Sequence, residues 1–249
     1  MTGATGIAAA TARGLAAQGC RVHVLSLDAP ECAALSDGLG PASAGWTAVD
    51  LRQDAAVESA FTSATTALGG LDAVVAVAGG SGRRFGDGPL HELTLSAWDE
   101  TLRLNLTSAF LTAREAVRAF RAGGAGGSLV LTASVLASAP AVPYFETHAY
   151  AAAKAAIEGL ATALAASYAR ERIRVNAVAP GLVRTRMARR AAQDPAISDY
   201  ARRKQALVGG FLAAEQVAEA LCWFATGADA VTGQVLDVDG SWSVTQASP

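Results

Sequence analysis

Short apolar runs alternate along this chain with longer stretches in which apolar residues recur at helical spacing. The short runs, rich in β-branched and apolar residues, predict strands at 21–27, 46–49, 72–77, 128–133, 173–178 and 235–238. The longer stretches predict helices at 7–18, 54–68, 97–121, 149–170 and 214–226. Because strands alternate with helices throughout, the pattern predicts a doubly wound, parallel α/β sheet in three layers, with helices on both faces.

Local signals mark the ends of several elements. Gly19 ends the first helix, and Asp54 is the predicted N-cap of the helix at 54–68. A glycine-rich stretch at 123–127 separates the helix at 97–121 from the strand that follows it. The core-facing stripe predicted for that helix consists of Leu106, Phe110, Ala113, Val117 and Phe120.

The composition indicates one globular unit. The chain has 249 residues, of which 51% are hydrophobic, so it can bury a sizeable core. No linker, internal repeat or low-complexity tail interrupts the pattern, and residues 1–249 are therefore predicted to form a single domain. The exception to the alternation is a polar, arginine-bearing excursion at 182–212.

Charge and cysteine usage narrow the classes of function. The formal net charge of −2 gives no indication of a nucleic-acid or anionic-membrane partner. No apolar run reaches membrane-spanning length, and the start lacks the pattern of a signal peptide. Cys20, Cys32 and Cys222 are widely spaced, which predicts neither a disulfide framework nor a metal site. These features predict a cytoplasmic protein with reduced thiols.

The candidate chemistry begins with Tyr150 and Lys154. Positions four apart lie on the same face of a helix, so both side chains can point into one site. A phenol has an unperturbed pKa of about 10 and is a weak acid-base group at neutral pH. A nearby positive charge favours the phenolate and lowers that pKa. The pair is thus a candidate proton donor and acceptor for a carbonyl or an alcohol, although such pairs also occur by chance.

Further features surround this pair in a fixed order along the chain. They are a glycine turn from Gly3 to Gly6, Ala78-Gly79 after a strand, Asn105 at the start of an apolar helix, Ser134 after a strand, and Pro180-Gly181 followed by Thr185. In this combination, from Thr2 to Gly240, the chain resembles a classical short-chain dehydrogenase/reductase with a Rossmann-type sheet.

The resemblance implies an NAD(P)-dependent oxidoreductase that transfers a hydride between nicotinamide and a ketone or secondary alcohol of a small molecule. Tyr150 would be the general acid or base. Lys154 would lower the pKa of Tyr150 and hold the nicotinamide ribose. Ser134 would bind the substrate oxygen, and Asn105 would hold a water in a proton relay. The segment 182–212 would form a substrate lid.

The resemblance also implies which residues contact the cofactor. They are Gly3, Thr5, Gly6, Ile7, Ser26, Asp50, Leu51, Ala78, Gly79, Tyr150, Lys154, Pro180, Gly181, Val183 and Thr185. The second strand ends in Ser26-Leu27-Asp28, where an acid in the place of Ser26 would favour NAD and a following arginine would favour NADP. This chain has neither the acid nor the arginine at those positions. Asp28 discourages a 2′-phosphate from two residues further on, so the sequence favours NAD over NADP only slightly.

The resemblance further implies a small-molecule substrate and a homodimer or homotetramer. The subunits would meet through the helices at 105–121 and 149–170. The substrate would be shaped by the segment 137–147 and by the lid at 182–212.

The N-terminus departs from the family pattern. Only Met1 and Thr2 precede Gly3, so the first strand is predicted to be missing or truncated. Such a gap would leave backbone groups of the two flanking strands unpaired. The turn is one residue short, with Ala8 in place of its last glycine, and Val77 stands where relatives often carry an asparagine. These departures suggest an upstream start of the natural chain or a remodelled turn.

Several alternatives stay open. Ser138 competes with Ser134 for the catalytic position, and His148 either touches substrate or is an exposed or capping residue. The basic residues of the lid indicate either an anionic substrate or a solvated helix face; they are Arg184, Arg186, Arg189, Arg190, Arg202, Arg203 and Lys204. The altered glycine turn motivates a second function, a dinucleotide-fold binding protein without redox turnover. An epimerase or dehydratase of the extended type is disfavoured because little chain follows Pro180.

Overall fold

Six parallel strands form the centre of the computed structural model, which describes residues 1–142 and 144–246. The strands are β1 (Val22–Ser26), β2 (Ser43–Ala48), β3 (Ala73–Ala76), β4 (Gly127–Thr132), β5 (Ile173–Pro180) and β6 (Val235–Val238). They pair in the orders β2–β1 and β3–β4–β5–β6, always parallel. Pro143, inside the predicted substrate segment, and residues 247–249 lie outside the described part.

The first residues of the chain connect these two groups of strands. Thr2 forms parallel bridges to Leu25 in β1 and to Ala76 in β3. The Thr2 amide donates to the Val75 carbonyl at 2.9 Å, and the Gly3 amide donates to the Leu25 carbonyl at 2.8 Å. The first strand is therefore reduced to a bridge of one residue. The expectation that both flanking strands lack partners is wrong at this level of the sheet.

Helices cover both faces of the sheet. They are α1 (Ile7–Ala17), α2 (Ala29–Leu39), α3 (Asp54–Leu68), α4 (Leu95–Leu102), α5 (Ser108–Gly123), α6 (His148–Tyr168), α7 (Arg189–Gln193), α8 (Pro195–Lys204) and α9 (Ala214–Thr226). Along β4, Val130 packs into the core beneath α1, α2 and α9, whereas Leu129 and Leu131 pack with α3, α5 and α6. This alternation is expected for a parallel strand buried on both faces. The predicted doubly wound α/β sheet is confirmed.

Two helices differ from the prediction. Helix α2 was not predicted; Asp28 caps it by accepting the Glu31 amide at 3.0 Å, and Pro30 occupies its first turn. Asp54 does not cap α3, because it is the first helical residue, and its carboxylate pairs with Arg114 instead.

The predicted helix at 97–121 is interrupted. A π-helical turn at Arg103–Thr107 separates α4 from α5. This turn inserts an extra residue per turn and shifts the phase of the positions that follow it. Phe110, predicted to face the core, is accordingly 46% exposed, with the Arg114 guanidinium 5.8 Å from its ring centre. Val117 and Phe120 are buried as predicted.

The excursion at 182–212 contains α7 and α8 and is held in place by the buried side chain of Gln205. The side-chain oxygen of Gln205 accepts the backbone amide of Leu182. Its side-chain nitrogen donates to the backbone carbonyls of Leu182 and Gly210. This side chain joins both ends of the excursion. Among the described residues, no helix combines the length and apolar character needed to cross a bilayer.

Candidate functional site

A cavity of about 780 Å³ opens where the carboxyl ends of the parallel strands meet the glycine turn, α6 and the excursion at 182–212. Ligand sites in such sheets are expected at this edge. Every residue predicted to contact the cofactor lines this cavity, and so does Ser134. Asn105 does not line it. The cavity also has lining residues that sequence reasoning missed, among them Arg83, Arg84, Met187 and Trp242.

Tyr150 and Ser134 lie together at the end of β4. Ser134 follows the strand in an extended conformation, and its hydroxyl accepts the Leu136 amide at 3.3 Å. The same side chain lies close enough to the phenol of Tyr150 to affect its pKa. Burial raises the pKa of Tyr150, and the polar Ser134 side chain offsets this only in part. The raised pKa keeps the phenol protonated at neutral pH, which is the form from which a proton can be donated.

Lys154 is a buried ammonium behind Tyr150. Its Nζ donates to the Thr132 carbonyl at 2.7 Å and lies 5.6 Å from the centre of the Tyr150 ring. Burial lowers the pKa of Lys154 to about 8. The pKa of Tyr150 is therefore raised, whereas the sequence predicts that it is lowered, because desolvation of the phenol outweighs the effect of its neighbours.

Asn105 sits in the π-helical turn and holds the loop after β3. Its side-chain nitrogen donates to the carbonyls of Thr101 and Gly80 at 3.0 and 2.9 Å, and its oxygen accepts the Gly80 amide at 3.0 Å. A Cβ at Gly79 would lie 2.8 Å from this oxygen and 3.6 Å from the Lys154 Nζ. The loop is thus packed between Asn105 and Lys154. The relay water expected at Asn105 stays a prediction.

Asp87, which sequence reasoning missed, fixes the start of the helix that carries Tyr150. Its buried carboxylate accepts the amides of Ala149 at 3.0 Å and Tyr150 at 2.9 Å. These are amides that a helix N-terminus leaves unpaired. Local capping spacing gives no signal for this contact, because the partners are more than 60 residues apart in the chain.

The two competing residues lie outside the cavity lining. Ser138 is exposed at the end of a short 3-10 turn. His148 is exposed as well, with its Nδ1 2.8 Å from the Gly88 carbonyl oxygen. The structure thus places Ser134, and neither Ser138 nor His148, against Tyr150.

The glycine turn packs closely on both sides. Gly3 has a φ of 91°, and a Cβ there would lie 3.0 Å from the Ala8 methyl, which fills the adjacent space. Gly6 has a φ of 55°, and its added Cβ would lie 3.0 Å from the Thr185 Cγ2. Both positions favour glycine for conformation and for space.

Thr2 supports the loop after β3, where Val77 stands in place of an asparagine. The Thr2 hydroxyl oxygen accepts the amides of Val77 at 3.1 Å and Ala78 at 3.2 Å. This contact orders the strand end without the asparagine that relatives often carry there.

Most charged side chains at the glycine-turn end of the cavity are paired with another charge. Asp50 pairs with Arg52 at 2.7 Å, and the hydrogen bond lowers the pKa of Asp50. Glu31 pairs across the cleft with Arg186 at 2.6 Å. At the other end of the cavity, the buried hydroxyl of Thr132 has no hydrogen-bond partner within residues 1–142 and 144–246. Glycines at a helix start, a buried lysine and this free hydroxyl fit a dinucleotide.

Comparison with known proteins gives consistent matches over nearly the whole chain. The family model described as enoyl-(acyl carrier protein) reductase matches residues 3–243. Cis-4-hydroxycyclohexanecarboxylate dehydrogenase of Sinomonas cyclohexanicum is 34% identical, over 96% of this chain and 93% of that protein. The 2,5-dichloro-2,5-cyclohexadiene-1,4-diol dehydrogenase of Sphingobium indicum is 32% identical, over 97% and 94%. A crystal structure of substituted actinorhodin polyketide ketoreductase with NADPH has a TM-score of 0.85 at 28% identity, over 98% and 95%.

Proposed function

Because this chain belongs to the short-chain dehydrogenase/reductase family, we propose a specific division of roles for the residues of its cavity. The protein is an NAD(P)-dependent oxidoreductase of alcohols or ketones. Within that activity, Tyr150 is the general acid or base, Ser134 orients the substrate oxygen, and Lys154 supports both. The observation that carries this proposal is that Ser134 and Tyr150 line one cavity close together, beside the buried Lys154.

The chemistry of reduction then follows from the geometry. The nicotinamide supplies the hydride when bound. The Ser134 hydroxyl donates to the substrate carbonyl oxygen and holds it next to the phenol of Tyr150. Tyr150 gives its proton to that oxygen as negative charge develops on it. A lysine with a pKa of about 8 is still largely charged at neutral pH, and it stabilises the phenolate left behind.

A secondary alcohol on a six-membered carbocycle is the proposed substrate. The names of both curated relatives describe a hydroxyl on such a ring. Aromatic residues bound the substrate end of the cavity, with Phe145 and Trp242 in its lining and ring centres 6.0 Å apart. Tyr200 packs on Trp242 at 5.6 Å and extends this wall. An aromatic, apolar boundary of this kind suits a ring substrate.

NAD is the proposed cofactor of the pair NAD and NADP. Ser26 provides no charge for a 2′-phosphate, and Arg186, the nearby lid cation, is already paired with Glu31. The Asp28 carboxylate caps α2 and adds negative charge to the same corner. A phosphate there would meet more negative than free positive charge.

The test of this proposal measures turnover of ring alcohols such as cis-4-hydroxycyclohexanol with NAD, in the unsubstituted protein and in the Tyr150→Phe variant. We expect turnover to fall by at least about 100-fold, since general acid-base catalysis is worth roughly that much. Fluorescence titration should still show NADH binding, tighter than NADPH, in both proteins. Substantial turnover by the phenylalanine variant would rule out the assigned role, and preference for NADPH would reverse the cofactor assignment.

The altered turn no longer motivates a protein without redox turnover, because Thr2 restores the local pairing. We also propose that residues 1–249 act as one domain with 182–212 as its lid. We also propose that the protein forms a homodimer or homotetramer whose subunits meet through α5 and α6. The half-exposed Phe110 ring on α5 supports such a contact.

A further inference from the structure

Positive charge accumulates at the substrate end of the cavity. The acids in the lining, Asp28, Glu31 and Asp50, all lie at the opposite end, where they cap a helix or pair with arginines. The substrate end contributes Arg83, Arg84 and Arg190 to the lining and no acid. In the ranges 1–142 and 144–246, no carboxylate lies within ion-pair distance of these three guanidinium groups.

Arg83 is held in place by a neutral partner. It lies on the short turn at Gly82–Phe85 that follows β3, and its Nη2 donates to the Tyr144 carbonyl at 2.9 Å. Tyr144 belongs to the segment immediately before α6, next to the Phe145 ring in the cavity wall. This contact holds the guanidinium at the cavity lining through a neutral oxygen, and within residues 1–142 and 144–246 it forms no salt bridge.

Arg190 contributes a second positive charge from the lid. It lies in α7 and lines the same cavity. Burial, and after it the positive charge of Arg190, lowers the pKa of Arg83. Asp87 and Glu146 act in the opposite direction from beyond ion-pair distance. The Asp87 oxygens are already occupied by the amides that begin α6. Arg83 and Arg190 therefore add like charges to the lining of one cavity, close enough for the charge of Arg190 to affect Arg83.

An anion between the two guanidinium groups would relieve this repulsion. Guanidinium is planar and binds carboxylate through paired hydrogen bonds. The dinucleotide phosphates are a poorer explanation, because their expected seat is the start of α1 at Gly3 and Gly6. The names of the relatives do not decide the point, since one describes a carboxylate and the other an uncharged diol.

We propose that Arg83 and Arg190 form an anion subsite that selects ring alcohols bearing a carboxylate. This rests on the proposed function, because the subsite acts on the substrate of Tyr150. The arginine-rich lid then recognises substrate through one of its cations, whereas its neighbours, such as the exposed Arg189, remain outside the cavity lining.

The test compares cis-4-hydroxycyclohexanecarboxylate with its primary amide, which has the same shape without the charge. With NAD saturating, we expect the wild-type protein to prefer the carboxylate. Arg83→Leu and Arg190→Leu should each raise KM for the carboxylate about fivefold, as expected for a partly exposed ion pair, and change KM for the amide and for NAD less than twofold. Arg189→Leu is the matched control on α7 and should leave all three values unchanged.

A binding measurement separates the subsite from catalysis. Calorimetry of cyclohexanecarboxylate on the protein saturated with NADH should show binding that weakens about fivefold in Arg83→Leu and Arg190→Leu and persists in Arg189→Leu. No binding to the wild type, or equal binding to all variants, would overturn the subsite. If neither alcohol is turned over while cyclohexanecarboxylate binds in this pattern, the proposed reaction fails and the subsite stands.

Discussion

The two ends of the cleft are held in place in different ways. At the proposed reaction end, Tyr150 and Lys154 stand on α6 against the continuous pairing of β4 with β5. Asp87 accepts the Tyr150 amide, and the Thr132 carbonyl accepts the Lys154 ammonium. At the glycine turn, the sheet between β1 and β3 is completed by the single bridging residue Thr2. The difference suggests that damage at the reaction end changes turnover, whereas damage at the glycine turn changes cofactor affinity.

The largest expected effect concerns the buried charge of Lys154. Its folded pKa of about 8 lies below the usual 10.5, so between these values the unfolded chain binds a proton that the folded protein does not. Stability relative to a Lys154→Met variant should therefore rise with pH across this window, by about 3 kcal/mol in total. Below pH 8 both states are protonated and the difference should be constant.

Urea unfolding of both proteins at a series of pH values measures this difference. The comparison with Lys154→Met matters because cysteines and tyrosines titrate in the same range in both proteins. A difference that stays flat from pH 8 to 10.5 would show that the lysine is not desolvated in the folded state.

The next effect concerns the anchor of α6. Asp87→Ala leaves the amides of Ala149 and Tyr150 without their acceptor, and we expect a loss of about 2 kcal/mol of stability. If Asp87 positions Tyr150, kcat should fall while the affinity for NADH stays unchanged. Asp87→Asn keeps one carbonyl acceptor and should recover part of both losses. An unchanged kcat in the alanine variant would reduce Asp87 to a purely structural role.

How far the sequence predicts this site depends on the distance along the chain between interacting residues. The alternation of strands and helices and the Tyr150–Lys154 pair follow from local patterns in the sequence. The anchors come from far away: Asp87 reaches α6 across more than 60 residues, and Arg83 reaches Tyr144 across a similar span. No local pattern encodes such contacts.

Other differences have local causes that the pattern hides. The apolar spacing runs on through the π-helical turn at Arg103–Thr107, so the sequence predicts one helix where the structure has two. Asp54 is a typical capping residue, yet its carboxylate pairs with Arg114 on the neighbouring α5.

The smallest expected effect lies at the glycine turn and completes the contrast between the two ends. Thr2→Val keeps the shape of the side chain but removes the oxygen that accepts the amides of Val77 and Ala78, so we expect a loss of about 1 kcal/mol of stability. Thr2→Ser retains the acceptor and is the matched control. The loop at Ala78 lines the cofactor end of the cavity, and NADH affinity should therefore fall in the valine variant while kcat at saturating cofactor is preserved. A fall in kcat equal to that of Asp87→Ala would mean that the two ends of the cleft are coupled, because the bridge at Thr2 would then control the geometry around Tyr150 as well.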